Sequence, residues 1–220
     1  MTKRTAFVVG ATGFVGQYLV QELLSDEAYE QVITFTRRKM TLSHPKLTQQ
    51  IASFEELSAA HFTGVDDVFC CLGTTIQKAG SKEAFRQVDY EYPVKVATFA
   101  KEAGVRHFLI ISAMWASPTS RSFYTKTKGE MEASLTALQL PRLSIVRPSL
   151  LTGARTELRV GEKVSEGIFK LITPLLCGSL RKMRPIAGET VARALNEIAL
   201  HPATEVINIY ESDELMKFGK

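Results

Sequence analysis

Seven residues constrain this chain more than any others. Gly10-Ala11-Thr12-Gly13-Phe14-Val15-Gly16 follow an uncharged, largely apolar run, Thr5–Val9, and open an amphipathic stretch that reaches Leu24. A strand that passes into a helix through glycines needs them for three reasons. The turn takes unusual backbone angles, the main chain must come close to a ligand, and helix and strand must pack tightly. The N–H groups at the start of such a helix have no partner within it and can face an anion. The pattern therefore predicts a first β-strand, a phosphate-holding turn and a first helix, with Gly10, Thr12, Gly13, Phe14, Val15 and Gly16 around a dinucleotide.

The rest of the chain supports that start. Short β-rich apolar runs alternate with longer amphipathic stretches, which implies a parallel sheet with crossover helices. Strands are predicted at Thr5–Val9, Val32–Thr36, Leu47–Ile51, Asp67–Leu72, His107–Ser112, Leu143–Arg147 and Glu205–Tyr210. Helices are predicted at Gly13–Leu24, Glu55–Ala60, Glu83–Ala103, Phe123–Leu138, Glu166–Leu176 and Glu189–His201. Pro93 is expected to split the third helix, with its longer part beginning near Asp89. The expected architecture is an α/β Rossmann-type, doubly wound parallel sheet in the order 3-2-1-4-5-6-7. Residues 1–220 are read as one domain, of which 149–220 form a small appendage covering the substrate side. Basic residues cluster there, at Arg155, Arg159, Lys163, Arg181, Lys182 and Arg184, around the apolar segment Ile168–Leu176.

Composition narrows the function classes. A chain of 220 residues with 45% hydrophobic residues can bury one large core. Its net charge of +4 is spread along the chain and forms no run that would track a nucleic-acid backbone. Three cysteines, two of them adjacent at Cys70 and Cys71, supply neither a disulfide framework nor zinc spacing. The four histidines, His44, His61, His107 and His201, have no partners at metal spacing, so no metal site is expected. Lys3 and Arg4 before an apolar run imitate a signal peptide, but Gly10 and Gly13 break the run at once. No apolar stretch reaches membrane-spanning length. A soluble, cytoplasmic protein is expected, and an oligomer is compatible with all of this.

Two further constellations carry chemistry. About twenty residues past Gly16, the second strand ends in Thr36-Arg37-Arg38-Lys39. An acidic residue at this position binds the ribose 2′-hydroxyl of NAD, whereas a 2′-phosphate calls for a cation. Arg37, with Arg38 beside it, therefore predicts NADP(H). The second constellation is Tyr124-Thr125-Lys126-Thr127-Lys128, with Ser112 ending the strand before it. On a helix Tyr124 and Lys128 lie one turn apart on one face, while Lys126 points elsewhere. An ammonium near a phenol favours the phenolate and so helps it to exchange a proton with a carbonyl oxygen, which the Ser112 hydroxyl can hold. Met114 and Trp115 follow Ser112 closely and can either floor a substrate pocket or form an apolar loop covering the core. Adjacent Cys70 and Cys71 on a buried strand point to opposite faces and are read as core packing.

The GxxGxxG spacing and the Ser112, Tyr124 and Lys128 set resemble the short-chain dehydrogenase/reductase superfamily in its extended and atypical branches. The run Phe69-Cys70-Cys71-Leu72-Gly73-Thr74-Thr75, then Lys78-Ala79-Gly80, Val88-Asp89, Tyr124–Glu130 and Arg147-Pro148, sharpens the resemblance. Together these segments are similar to the HIV Tat-interactive protein oxidoreductase family, an atypical branch, over most of the chain up to about Leu151. The resemblance implies a Rossmann fold, NADPH binding and, in animal members, contacts with regulatory proteins. It also implies that Leu72, Gly73 and Thr74 lie near the cofactor ribose or phosphates, and Pro148 and Leu150 near the nicotinamide. One departure stands out. The helix position that carries an Asn in the wider superfamily's proton relay holds Asp89 here.

These readings converge on an NADPH-dependent oxidoreductase that reduces a small carbonyl substrate, with Ser112, Tyr124 and Lys128 catalytic and Tyr124 and Lys128 also touching the cofactor. The alternative is a non-catalytic NADPH-binding redox sensor that acts through a protein partner. A sugar-nucleotide epimerase shares the motifs but needs a larger substrate domain than the residues after Pro148 supply.

Overall fold

The computed structural model of the protein describes residues 3–153 and 178–219. Its strands are β1 (Arg4–Val9), β2 (Tyr29–Thr36), β3 (Leu47–Ile51), β4 (Asp67–Cys70), β5 (His107–Ile111), β6 (Leu143–Arg147), the two-residue β7 (Leu151–Thr152) and β8 (Ile186–Ala187), and β9 (Ile207–Glu211). Seven of them form one parallel sheet in the order β3-β2-β1-β4-β5-β6-β9, and β7 pairs with β8. Counting the main sheet alone, this is the expected 3-2-1-4-5-6-7. The chain reverses its direction of travel between β1 and β4, and the crevice that opens at their C-terminal ends is where open α/β sheets hold ligands.

The helices are α1 (Gly16–Ser25), α2 (Ile76–Ala79), α3 (Lys82–Arg86), α4 (Tyr92–Glu102), α5 (Phe123–Ala137), α6 (Gly188–Leu200) and α7 (Ser212–Leu215). Strand alternation divides the core between the two faces. Ala6, Val8, Phe69, Leu109 and Val146 pack against Leu19, Val20 and Leu23 of α1 and Val191, Leu195 and Ile198 of α6. Phe7, Val9, Val68, Phe108 and Ile110 face Val96, Ala97 and Ala100 of α4 and Met131 and Leu135 of α5. Burial on both faces is why these strands read as continuous apolar runs.

The structure corrects several boundaries. No helix spans Glu55–Ala60: Ser58, in extended conformation, caps a single 3₁₀ turn at Ala59–Phe62, while Phe54 stacks on Tyr92 at 4.2 Å. The first helix starts at Gly16, because residues 10–15 are spent on the turn. The long helix expected over Glu83–Ala103 is divided by a π-helical turn, Gln87–Glu91, just ahead of Pro93, which sits in the first turn of α4. Three small elements, α2, the β7–β8 pair and α7, were not anticipated. From the stretch 149–220, the described residues supply β7, β8, α6, β9 and α7. The predicted helix Glu166–Leu176, the apolar segment Ile168–Leu176 and the basic residues Arg155, Arg159 and Lys163 lie outside the described residues.

Candidate active site at the C-terminal edge of the sheet

The three glycines of the turn are needed for different reasons. Gly10 has φ +78°, and a Cβ there would lie 2.6 Å from the Cys71 carbonyl carbon and oxygen. At Gly16 a Cβ would lie 2.1 Å from the Gly10 oxygen. Both positions are closed by the chain's own backbone. At Gly13 a Cβ would graze the Gly10 oxygen at 3.0 Å and otherwise meet only the Cys71 oxygen at 3.8 Å, so the fold presses on this glycine less. No side chain caps α1, and its first turn holds no acidic residue, so the positive end of the helix dipole is not neutralised from within. Thr12 is exposed. Val15 is buried, which leaves it only a backbone N–H to offer. The Phe14 ring packs where a Cβ on Gly188 would be 2.7 Å away and one on Gly153 3.1 Å away, so it ties the turn to the start of α6.

Arg37 and Arg38 leave the end of β2 exposed, and neither is ion-paired with a described residue. The Thr36 hydroxyl donates to the Arg38 carbonyl at 2.9 Å and fixes the bend that presents them. These residues, the turn and Leu72-Gly73-Thr74 after β4 all lie at the C-terminal edge of the sheet.

The same edge holds a buried ion pair. Lys128 and Asp89 are almost entirely covered, with Nζ 2.7 Å from Oδ1. The other carboxylate oxygen accepts from the Thr74 backbone N–H at 2.8 Å, and Lys128 also donates to the Ile111 carbonyl at 3.5 Å. A Cβ on Gly73 would be 3.6 Å from the carboxylate, so the loop after β4 wraps the pair. Burial works to push the Lys128 ammonium down, but Asp89 and the Tyr124 phenol outweigh it and hold it above the usual lysine range. Asp89 faces inward from the π-helical turn, whose extra residue redirects side chains relative to a regular helix. Position Asp89 was noted in the sequence as a departure; its role as the anchor of Lys128 was not, because helical periodicity does not anticipate a π turn.

Tyr124, one turn before Lys128 on α5, is 37% exposed, and its ring packs 5.6 Å from Phe85. Lys126 points away and pairs with Glu130 at 4.0 Å. Ser112 follows β5, its backbone N–H bound to the Val146 carbonyl at 2.8 Å. Its hydroxyl is buried and has no hydrogen-bond partner among the described residues. A buried hydroxyl left unmade is costly, so this one is available to a ligand. The loop after Ser112 lies directly on α5: a Cβ on Gly129 would be 2.1 Å from the Ser117 carbonyl carbon. Gly129 was missed in the sequence, where only its place after Lys128 marks it. Pro148 is buried beside this loop, accepting from the Met114 N–H at 3.3 Å, and Leu150 is exposed. Met114 is buried, whereas Trp115 is 60% exposed.

The remaining candidates are structural. Cys70 packs on one face of the sheet and Cys71 on the other; both are free, and burial pushes the Cys70 thiol up to about 12. His107 is buried against the Ser144 hydroxyl at 2.9 Å. No described helix is long and apolar enough to cross a membrane.

Comparison with known proteins bears on the fold and the family. Residues 10–169 match a family model described as NAD(P)H-binding. Protein HTATIP2 of Rattus norvegicus is 33% identical over 100% of this chain and 91% of its own length. The mitochondrial protein FMP52 of Debaryomyces hansenii is 31% identical over 97% of this chain and 98% of its own. Among solved structures, MoeE5 in complex with UDP-glucose and NAD superimposes with a TM-score of 0.70 at 16% identity, covering 93% of this chain and 74% of that one. The oxidoreductase ylbE of Lactococcus lactis does so at 0.67 and 17% identity, covering 97% and 95%; these two show the fold alone. The yeast relatives, named mitochondrial, overturn the cytoplasmic expectation. That expectation rested on unpaired cysteines, which separate reducing from oxidising compartments but not one reducing compartment from another. The match to HTATIP2 over the full chain, with the NAD(P)H-binding family model over residues 10–169, makes this protein a member of the HTATIP2-like family of atypical short-chain dehydrogenases/reductases, NAD(P)-dependent oxidoreductases built on a Rossmann fold.

Proposed function

We propose that the chain is an NADPH-dependent reductase of small carbonyl compounds. The observation that carries this reading is the Ser112 hydroxyl, buried and unspent, at the sheet edge that also holds the Lys128–Asp89 pair and the half-open Tyr124. The residues fit the cofactor. The turn from Gly10 to Gly16 offers backbone N–H groups to the pyrophosphate. Arg37 and Arg38 suit a 2′-phosphate, Leu72, Gly73 and Thr74 the ribose and phosphates, and Pro148 and Leu150 the nicotinamide. Bound there, NADPH would supply a hydride to the carbonyl carbon.

The chain's own groups do the rest. Ser112 Oγ donates a hydrogen bond to the carbonyl oxygen and polarises it. The Tyr124 phenol transfers its proton to that oxygen, so the product is an alcohol and Tyr124 is left as phenolate. Lys128 stabilises the phenolate and would help to hold the cofactor ribose. Asp89 holds Lys128 charged and oriented, and in doing so offsets part of the ammonium's field at the phenol.

Two measurements test the proposal. NADPH and NADH are titrated by fluorescence against the wild type and Arg37→Asp. The wild type is expected to bind NADPH more tightly, and the variant to lose at least tenfold of that preference, because repulsion replaces a charge-assisted contact of about 1.5–3 kcal/mol. NADPH consumption is then followed by absorbance over a panel of aldehydes and ketones. Equal affinity for both nucleotides contradicts the cofactor assignment, and no consumption across a broad panel contradicts the reaction.

A further inference from the structure

Trp115 is hard to explain by folding. It is the second central residue of the turn Ala113–Ala116, closed by the Ala116 N–H on the Ala113 carbonyl at 3.2 Å, and its φ is +61°. A turn with positive φ at that position favours glycine or asparagine, and for a bulky side chain the conformation is a true outlier. Among the described residues only Gln139 shares a positive φ without being glycine, and it sits just past the end of α5, where helices commonly finish in this conformation. Nor does the ring gain burial in return, since 60% of the residue stays exposed.

The strain is held in place by a rigid frame. Met114 N–H donates to the Pro148 carbonyl at 3.3 Å, Arg147 to the Ala116 carbonyl at 3.4 Å, and Ser117 N–H to the Thr125 carbonyl at 3.1 Å. The loop thus braces against the ends of β6 and α5, three residues beyond the Ser112 hydroxyl and against the helix that carries Tyr124 and Lys128. Strain that persists in a braced loop beside a reaction site points to function. Tyr124, at the start of α5, and Leu150, just before β7, are likewise more than a third exposed. Arg147, which braces the loop, is already committed to Glu132 and Glu211.

From this, and resting on the reductase reading above, we infer that Trp115 is an aromatic platform that positions substrate, and that the preferred substrates are uncharged carbonyl compounds bearing a flat aromatic or apolar group. The inference is testable because Trp115 is the chain's single tryptophan, so its emission reports this site alone. Acetophenone and acetone are compared as substrates of the wild type, Trp115→Gly and Trp115→Phe at saturating NADPH, alongside emission titrations with acetophenone on the NADP⁺-loaded wild type.

In Trp115→Gly the expected outcome is a rise of about tenfold in KM for acetophenone, the upper range for one aromatic contact. Its kcat should stay within about twofold, so the preference for aryl over alkyl ketone collapses, while Trp115→Phe keeps most of it. The glycine variant should melt no lower than the wild type, because glycine suits the backbone there. Unchanged acetophenone KM in Trp115→Gly overturns the platform and leaves the reductase reading intact. If neither ketone is turned over, saturable quenching of emission by acetophenone upholds the platform, and the reductase reading is decided by the broad aldehyde and ketone panel. Absence of both turnover and quenching overturns the platform as well.

Discussion

The two edges of the sheet hold similar polar groups and use them differently. At the N-terminal edge, where the parallel strands begin, Asp67 is fully buried, ion-paired with Arg4, and accepts from the Tyr29 hydroxyl at 2.9 Å. Its strand neighbour His107 spends a ring nitrogen on Ser144. At the C-terminal edge a buried carboxylate again meets a cation, Asp89 with Lys128, but the groups around it are left open. Ser112 Oγ has no described partner, Tyr124 is partly exposed, and Trp115 holds a strained turn without packing. Burial together with complete pairing marks architecture. Ser112 is a buried donor left unspent at the edge where open α/β sheets hold ligands.

Three substitutions and a pH series sharpen that contrast, beginning with the largest expected effect. Arg4→Met removes one partner of a buried ion pair and is expected to cost about 3–5 kcal/mol of stability in urea unfolding while leaving NADPH affinity of the folded protein unchanged. Asp89→Asn, at the opposite edge, leaves the buried Lys128 without a counter-charge. It should cost about 2 kcal/mol and, unlike Arg4→Met, should also slow turnover, since Lys128 loses its anchor. If both variants weakened NADPH binding equally, the division between the edges would be wrong.

The smallest effect concerns pH. Burial lifts the Asp67 carboxyl to about 6 from 3.8, against the opposing pull of Arg4 and the Tyr29 hydrogen bond. Its contribution to stability is therefore complete below about 4 and is lost as pH rises through about 6. Burial, helped by Arg142 and Arg4, lowers His107 from 6.5 to about 3, so its contribution is complete above about 6.5 and is lost as pH falls toward 3. Between about pH 4.5 and 5.5 the two slopes oppose each other and nearly cancel. His107→Asn removes one of them, and the variant should gain about 1.4 kcal/mol per pH unit on acidification in that window, read from melts against the wild type. A flat difference between the two proteins contradicts the pairing.

The sequence made one edge far more legible than the other. The glycine turn, the arginines after β2 and the Tyr124–Lys128 spacing are local patterns, each contained within a few residues of chain, and the strands showed as apolar runs because both sheet faces are covered. The Arg4, Tyr29, Asp67 and His107 cluster joins the starts of four strands far apart in sequence, and nothing local announces it. Asp89 turns inward only because of a π turn, and the strain at Trp115 is a property of φ that no residue pattern carries. The contact of Phe14 with Gly153 and Gly188 closes the turn from the far end of the chain, again beyond local reading. The misread helix at Glu55–Ala60 had helical composition, but Phe54 was drawn to Tyr92 and Ser58 took the capping position.

The central claim is that chemistry belongs to one edge and stability to the other, and two phenolic oxygens test it most directly. Tyr29→Phe and Tyr124→Phe each delete one oxygen and keep the ring. Thermal melts, NADPH titration and turnover of the best carbonyl substrate are measured for both variants side by side. Tyr29→Phe should lose about 1.5–3 kcal/mol, the worth of a hydrogen bond to a charged group, with turnover of the folded protein intact. Tyr124→Phe should melt as the wild type does and bind NADPH as tightly, yet lose roughly a hundred- to ten-thousand-fold in turnover. Undiminished turnover in Tyr124→Phe would contradict the account.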